Sequence, residues 1–116
     1  MRERDLIDLF VAFGHVSVRR MFGGHGIYHE GRIIALHAFG EIWLKADARS
    51  APEFEAVGSR QWLYEMKGKP VRMPYWSVPD NALDDPHEFA EWARKADGAA
   101  RRAETTKKVR PSRRPS

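Results

Sequence analysis

The stretch RIIALHAFGEIWLKAD, residues 32–47, decides how the rest of the chain reads. Ile34, Leu36 and Ala38 alternate with Ile33, Ala35 and His37. Beyond Phe39-Gly40, Ile42, Leu44 and Ala46 alternate with Glu41, Trp43 and Lys45. A period of two puts successive side chains on opposite faces of a pleated layer. The stretch therefore reads as two strands joined by a tight turn. Glu30-Gly31 marks a second such turn just upstream.

Working outward, the same period predicts strands near 16–22, 25–29, 32–38 and 41–47, linked as a meander. Gly23, Gly24 and Gly26 fall among them. A dinucleotide fingerprint would need a helix after its glycines, and a P-loop would need Lys followed by Ser or Thr. Neither is present, so these glycines read as a bulge or kink in the sheet. Before the strands, Leu6, Leu9, Phe10 and Phe13 lie on one face of a helix over 3–14, stopped by Gly14. After them, Ser50 and Pro52 suit the start of a helix near 51–58. Trp62–Lys67 and Val71–Trp76 alternate again and form a second hairpin around Lys67-Gly68-Lys69-Pro70. Pro74 lacks a ladder donor, so its strand should be an edge or break there. Residues 77–84 read as a loop. Asp85-Pro86-His87-Glu88 is a helix start, and Phe89, Trp92, Ala93, Ala96 and Ala100 give that helix its buried stripe. It should fade around residues 98–103.

The order is thus α-β-β-β-β-α-β-β-α. Short connections make the sheet antiparallel, and helices with one apolar stripe must cover one of its faces. The expected architecture is a two-layer α+β domain over residues 1–100, followed by a basic, disordered tail over 101–116.

Charge supports this division. The 116-residue chain carries a formal +4. Arg101, Arg102, Lys107, Lys108, Arg110, Arg113 and Arg114 against Glu104 give the tail +6, so residues 1–100 carry −2. The tail is the candidate nucleic-acid-binding segment. It reads equally as a solubilising appendage. With no cysteine there is no disulfide frame, thiolate metal site or cysteine nucleophile. That suits a reducing cytoplasm, the expected location. No apolar run reaches the length of a membrane helix, and Asp5 and Asp8 interrupt the N-terminal pattern, unlike a signal peptide.

RRMFGGHGIYHEGRIIAL, then EIWLKAD, then YEMKGKPVRMPYWSVP, resembles the N-terminal domain family of TfoX (Sxy), a bacterial competence regulator. The resemblance covers most of residues 5–100. Its most specific pieces are Met21-Phe22-Gly23-Gly24, Gly26, Tyr28, Gly31 and Met73-Pro74-Tyr75-Trp76. It implies one antiparallel sheet with helices on one side, and a role in transcription regulation through partners. The full-length regulator has a second, C-terminal domain. Here a short basic tail stands in its place, which points to a stand-alone N-terminal domain. No catalytic residues come with the family.

Chemistry-bearing groups are sparse. A metal reading would take His25 and His29 with His37 or Glu30. Residues four apart in a strand lie about 13 Å apart, so this needs the chain to fold back. The plainer reading is histidines facing solvent. Ser17, Ser50, Ser59 and Ser77 lie in no nucleophile context, and Asp80, Asp84 and Asp85 read as capping and solvated charge. Arg19 and Arg20 should point to opposite faces, one of them paired with an acid. The expectation is therefore no catalytic residue, no cofactor and no metal. Trp43 and Trp76 fall on the more polar parity of their strands. They are candidates for a partner surface on the open sheet face, unless a loop or the tail shields them. A protein partner is the leading expectation, met by that face or by the strand edge near Pro74. Nucleic acid through the tail is the alternative. An exposed edge could also join two copies, though no residue argues for it.

Overall fold

The computed structural model describes residues 2–21 and 23–109. The elements are α1 (Glu3–Leu9), β1 (Ser17–Met21), β2 (Gly24–His29), β3 (Arg32–Ala38), β4 (Glu41–Lys45), α2 (Ala51–Ala56), β5 (Gln61–Met66), β6 (Lys69–Ser77), a 3-10 turn (Asp80–Ala82) and α3 (Pro86–Val109). The strands form one antiparallel sheet in the order β1-β2-β3-β4-β6-β5. The α+β class and the order of elements are as the sequence implies.

Three turns show why the strands meet where they do. Glu30-Gly31, Phe39-Gly40 and Lys67-Gly68 all hold positive φ at both residues. That backbone twist matches the twist of the strands it joins. Gly23, also at positive φ, belongs to the β1–β2 connection rather than to a bulge. Gly24 pairs with Met21, and a side chain there would run into the His37 carbonyl of β3. The bulge in this part of the sheet lies one hairpin on. Ile27 pairs with Ala35 and Tyr28 with Ile33, which leaves Ile34 as the extra residue.

The helices share one core with the inward face of the sheet. Leu6 of α1, Phe10 at its end, Phe54 of α2, and Phe89, Trp92, Ala93, Ala96 and Ala100 of α3 pack with Ile27, Ile34, Ala35, Ile42, Leu44 and Trp76. Phe10 meets Phe89 edge-on at 4.9 Å, and Phe54 meets Trp92 at 4.8 Å. Helix α1 is shorter than its apolar pattern suggests. Phe10 leaves helical geometry, and its carbonyl accepts from Phe13 and Gly14 in a closing turn. The loop expected at 77–84 contains the 3-10 turn.

Pro74 was expected to put its strand at an edge or to break it, and the second holds: β6 is interior, between β4 and β5. Pro74 is accommodated in an irregular stretch. Arg72 pairs with Leu63 and Trp76 with Gln61, so Pro74 sits where the β5 ladder lapses, and its carbonyl accepts from Ala46 of the chain beyond β4. Helix α3 does not fade at 98–103 but runs to Val109. Ion pairs carry it past its apolar stripe. Arg101 binds Asp97 at 2.8 Å, Arg102 binds Asp47 at 2.6 Å, and Glu104 meets Arg32 of β3 at 3.1 Å. Residues 110–116, and the disorder expected of them, lie outside the described residues. Among the described residues no helix is long and apolar enough to cross a membrane.

Candidate functional site

The register fixes which side chains share the face that the helices leave open. Leu44 pairs with Trp76 and faces the core, so its neighbours Trp43, Lys45 and Tyr75 face the other way. Trp76 is therefore under the helices, where it stacks on Phe54 at 6.3 Å with 9% of its surface exposed. Its polar neighbour Arg72 misled the parity reading because Arg72 lies where β6 has run past β4 and is exposed. Trp43 does lie on the open face. It is nevertheless only 7% exposed, because other open-face groups cover it.

Those covering groups form the most developed feature of that face. Trp62 of β5 lies 5.5 Å from Trp43 and 6.2 Å from Tyr75. Phe39 stands edge-on to Trp62 at 5.6 Å. The Arg60 guanidinium sits over the Trp43 ring at 5.6 Å and is held there by both oxygens of Glu41, at 2.6 and 3.2 Å. The Trp43 indole N–H donates to the Ala38 carbonyl. Burial, followed by the nearby Tyr28, pushes the Tyr75 hydroxyl pKa up, so it remains a neutral phenol. Further along the face, Arg19 lies over the Tyr28 ring at 5.2 Å. The partner of Arg19 is thus an aromatic face rather than an acid.

Sequence reasoning read Phe39 only as a turn residue and Trp62 only as a strand residue. Phe39 is 79% exposed. Its turn position favours Asn, Asp or Gly, and a bulky residue at positive φ is strained. Neither turn chemistry nor core packing accounts for a phenylalanine there. The shared parity of Trp62, Tyr64 and Met66 was a usable signal. That β5 would join the sheet beyond β6 and bring Trp62 next to Trp43 was not, because strand order is a tertiary fact.

The histidines divide into two groups. His25 and His37 are paired across β2 and β3, with Nδ1 atoms 3.2 Å apart. Their ring centroids are 5.4 Å apart, nearly that gap plus two ring radii. The two Nδ1 atoms therefore lie almost on the line joining the rings, the geometry of an N–H···N hydrogen bond. Burial first, and then the adjacent His25, push the His37 pKa down. His29 turns elsewhere: its Nδ1 lies 2.9 Å from the His15 carbonyl and its ring packs against Phe13. The residues weighed for a metal do not converge, and among the described residues no group of three or more His, Asp or Glu side chains is placed to hold an ion.

Of the candidate nucleic-acid residues, Arg101 and Arg102 extend α3 and face carboxylates. Arg102 grips Asp47 with two donors, at 2.6 and 3.0 Å, and its hydrogen bond holds the Asp47 carboxyl down at a pKa of about 2. Lys107 and Lys108 lie on the last turns of α3. Arg110, Arg113 and Arg114 lie outside the described residues. Asp85 caps α3 as expected, accepting from the backbone N–H groups of His87 and Glu88.

A family model described as the TfoX N-terminal domain matches residues 8–100. No curated protein matches the chain.

Proposed function

Because the chain belongs to the TfoX N-terminal domain family, we propose that it is a non-enzymatic regulatory domain that acts by holding a protein partner on the open face of its sheet. The observation that carries this reading is Phe39, an exposed aromatic in a strained turn, set against Trp62 and backed by Trp43 and Tyr75. Aromatic anchors with a buried supporting layer are the usual centres of protein interfaces. The adjoining Arg60–Glu41 pair would form part of a polar rim.

The test is a photo-crosslinker. Phe39 is replaced by p-benzoylphenylalanine, which keeps its ring, in cells that make the protein. Val11, 70% exposed in the turn that closes α1 and so on the helical side, serves as the control position. Discrete protein adducts at position 39 and none at position 11 are expected. Adducts no more frequent at 39 than at 11 would remove the open face from the account.

Nucleic-acid binding through the tail is the second reading. Its support is the placement of Lys107 and Lys108 on an ordered helix that extends past the core. The carboxylates that hold Arg101 and Arg102 reduce the number of cations it can draw on.

A further inference from the structure

The β5–β6 hairpin extends past the rest of the sheet. Strand β4 pairs with β6 only at Tyr75–Ser77, so from Leu63 to Arg72 the two strands pair with each other alone. Leu63, Tyr64, Met66 and Val71 are exposed along this arm. A two-stranded ribbon is marginally stable in water, and a third strand would consolidate it.

Both edges of the arm lack a neighbouring strand, but Pro70 removes a donor from the β6 side, whereas β5, the terminal strand of the sheet, has no proline. In a two-residue hairpin closed by Met66 and Lys69, Met66 and Tyr64 make the inward ladder bonds. The backbone N–H and C=O groups of Leu63 and Glu65 point outward. The sheet's other edge, β1, carries Arg19 and Arg20, charges of the kind that block edge pairing. The charge in β5 is Glu65 alone, between Tyr64 and Met66.

We propose that β5 pairs antiparallel with β5 of a second copy of this chain, giving a two-fold dimer with one continuous sheet. The alignment follows from the residues. A symmetric pair centred on Glu65 sets carboxylate against carboxylate and is disfavoured. Centring on Leu63 joins the outward-pointing groups and makes each cross-strand pair favourable. Leu63 meets Leu63 of the second copy, and Trp62 meets its Tyr64. Gln61 meets its Glu65. The Arg72 guanidinium already lies at the Gln61 amide oxygen, 3.4 Å away, so the incoming carboxylate also finds a cation. The contact is isologous and closes on itself, which yields a dimer rather than a fibre. This goes beyond the partner reading at Phe39 and stands or falls separately from it.

Sedimentation of the full chain across a concentration series tests it, with Leu63→Lys as the variant. The wild type is expected to pass from monomer to dimer. Hydrogen exchange should show the Leu63 and Glu65 amides gaining protection over the same range. L63K sets like charges on the two-fold axis and should raise the midpoint concentration at least about tenfold. Unchanged protection of its Tyr64 and Met66 amides would show that the arm stays folded. Should the arm of L63K open, the wild-type exchange data decide alone. A wild type monomeric up to about 1 mM, a dimer that L63K leaves unaffected while its arm stays folded, or dimerisation without protection at Leu63 and Glu65 would each overturn the proposal.

Discussion

The Asp47 carboxylate accepts from the backbone N–H groups of Arg49 and Ser50, from the Ser50 hydroxyl and from the Arg102 guanidinium. Ser50 was expected to cap α2 with its side chain. Instead its hydroxyl oxygen accepts from the Asp47 N–H, and Asp47 organises the turn. The result is a joint between the end of β4, the start of α2 and the last third of α3. Its pH dependence has a definite sign. The folded pKa, about 2, lies below the ordinary value of 3.8. The joint therefore stabilises fully above that ordinary value, and the contribution is lost as pH falls toward 2. Arg102→Gln removes the largest cause of the depression but keeps the backbone donors. The Asp47 pKa should rise part of the way to its ordinary value, as read by carbon NMR of the carboxyl group. Acid unfolding between about pH 4 and pH 2 should be shallower in the variant than in the wild type. An unshifted Asp47 titration in R102Q would show that the turn alone holds the carboxylate down.

At the scale of elements, α3 depends on two different forces along its length. Its first part buries Phe89, Trp92, Ala93 and Ala96 against the sheet. Its later part is held by the Arg101, Arg102 and Glu104 ion pairs. A chain ending after Ala100 loses those clamps, whereas one ending after Thr105 keeps them. Urea unfolding should place the shorter form below the longer by about 1 kcal/mol, the upper end for partly exposed pairs, because Arg102 binds Asp47 with two donors. Equal midpoints would mean that the clamps contribute nothing net. The same contrast explains what could be read in advance. Strand period, turn dipeptides and the Asp85 cap are local, and they located the elements to within a few residues. The extension of α3 depends on Asp47, 55 residues away, and on Arg32, and no local pattern reports such partners. The interior place of β6 was equally hidden. Proline allows an edge or a break, and only the pairing of β6 on both sides shows that it is the break. The open-face site was legible only through Trp43, since Phe39 carried the signature of a turn and Trp62 that of a strand.

For the whole molecule, the question is how much of the positive charge is free to meet a polyanion. Counted from sequence, the tail offers seven cations over a body of net −2. Two of the seven, Arg101 and Arg102, are bound to Asp97, Glu30 and Asp47. Freeing them would cost the molecule its α3 clamps, so phosphates must compete with carboxylates already in place. The five cations beyond Thr105 release about 0.9 counterion for each phosphate they neutralise. The slope of log K against log salt on duplex DNA should therefore reach at most about −4.5, not the roughly −6 of seven free cations. Fluorescence anisotropy of a labelled duplex across a salt series measures it. The form ending after Thr105 should lose nearly all binding while keeping its fold. A cut after Ala100 would confuse loss of cations with loss of the Arg102 joint. If the wild-type slope comes out near −6, Arg101 and Arg102 have left their carboxylates for the duplex. In that case the Asp47 pKa should rise part of the way to its ordinary value when DNA is bound, as in R102Q. If the Thr105 form retains full affinity, the tail is not the nucleic-acid element at all.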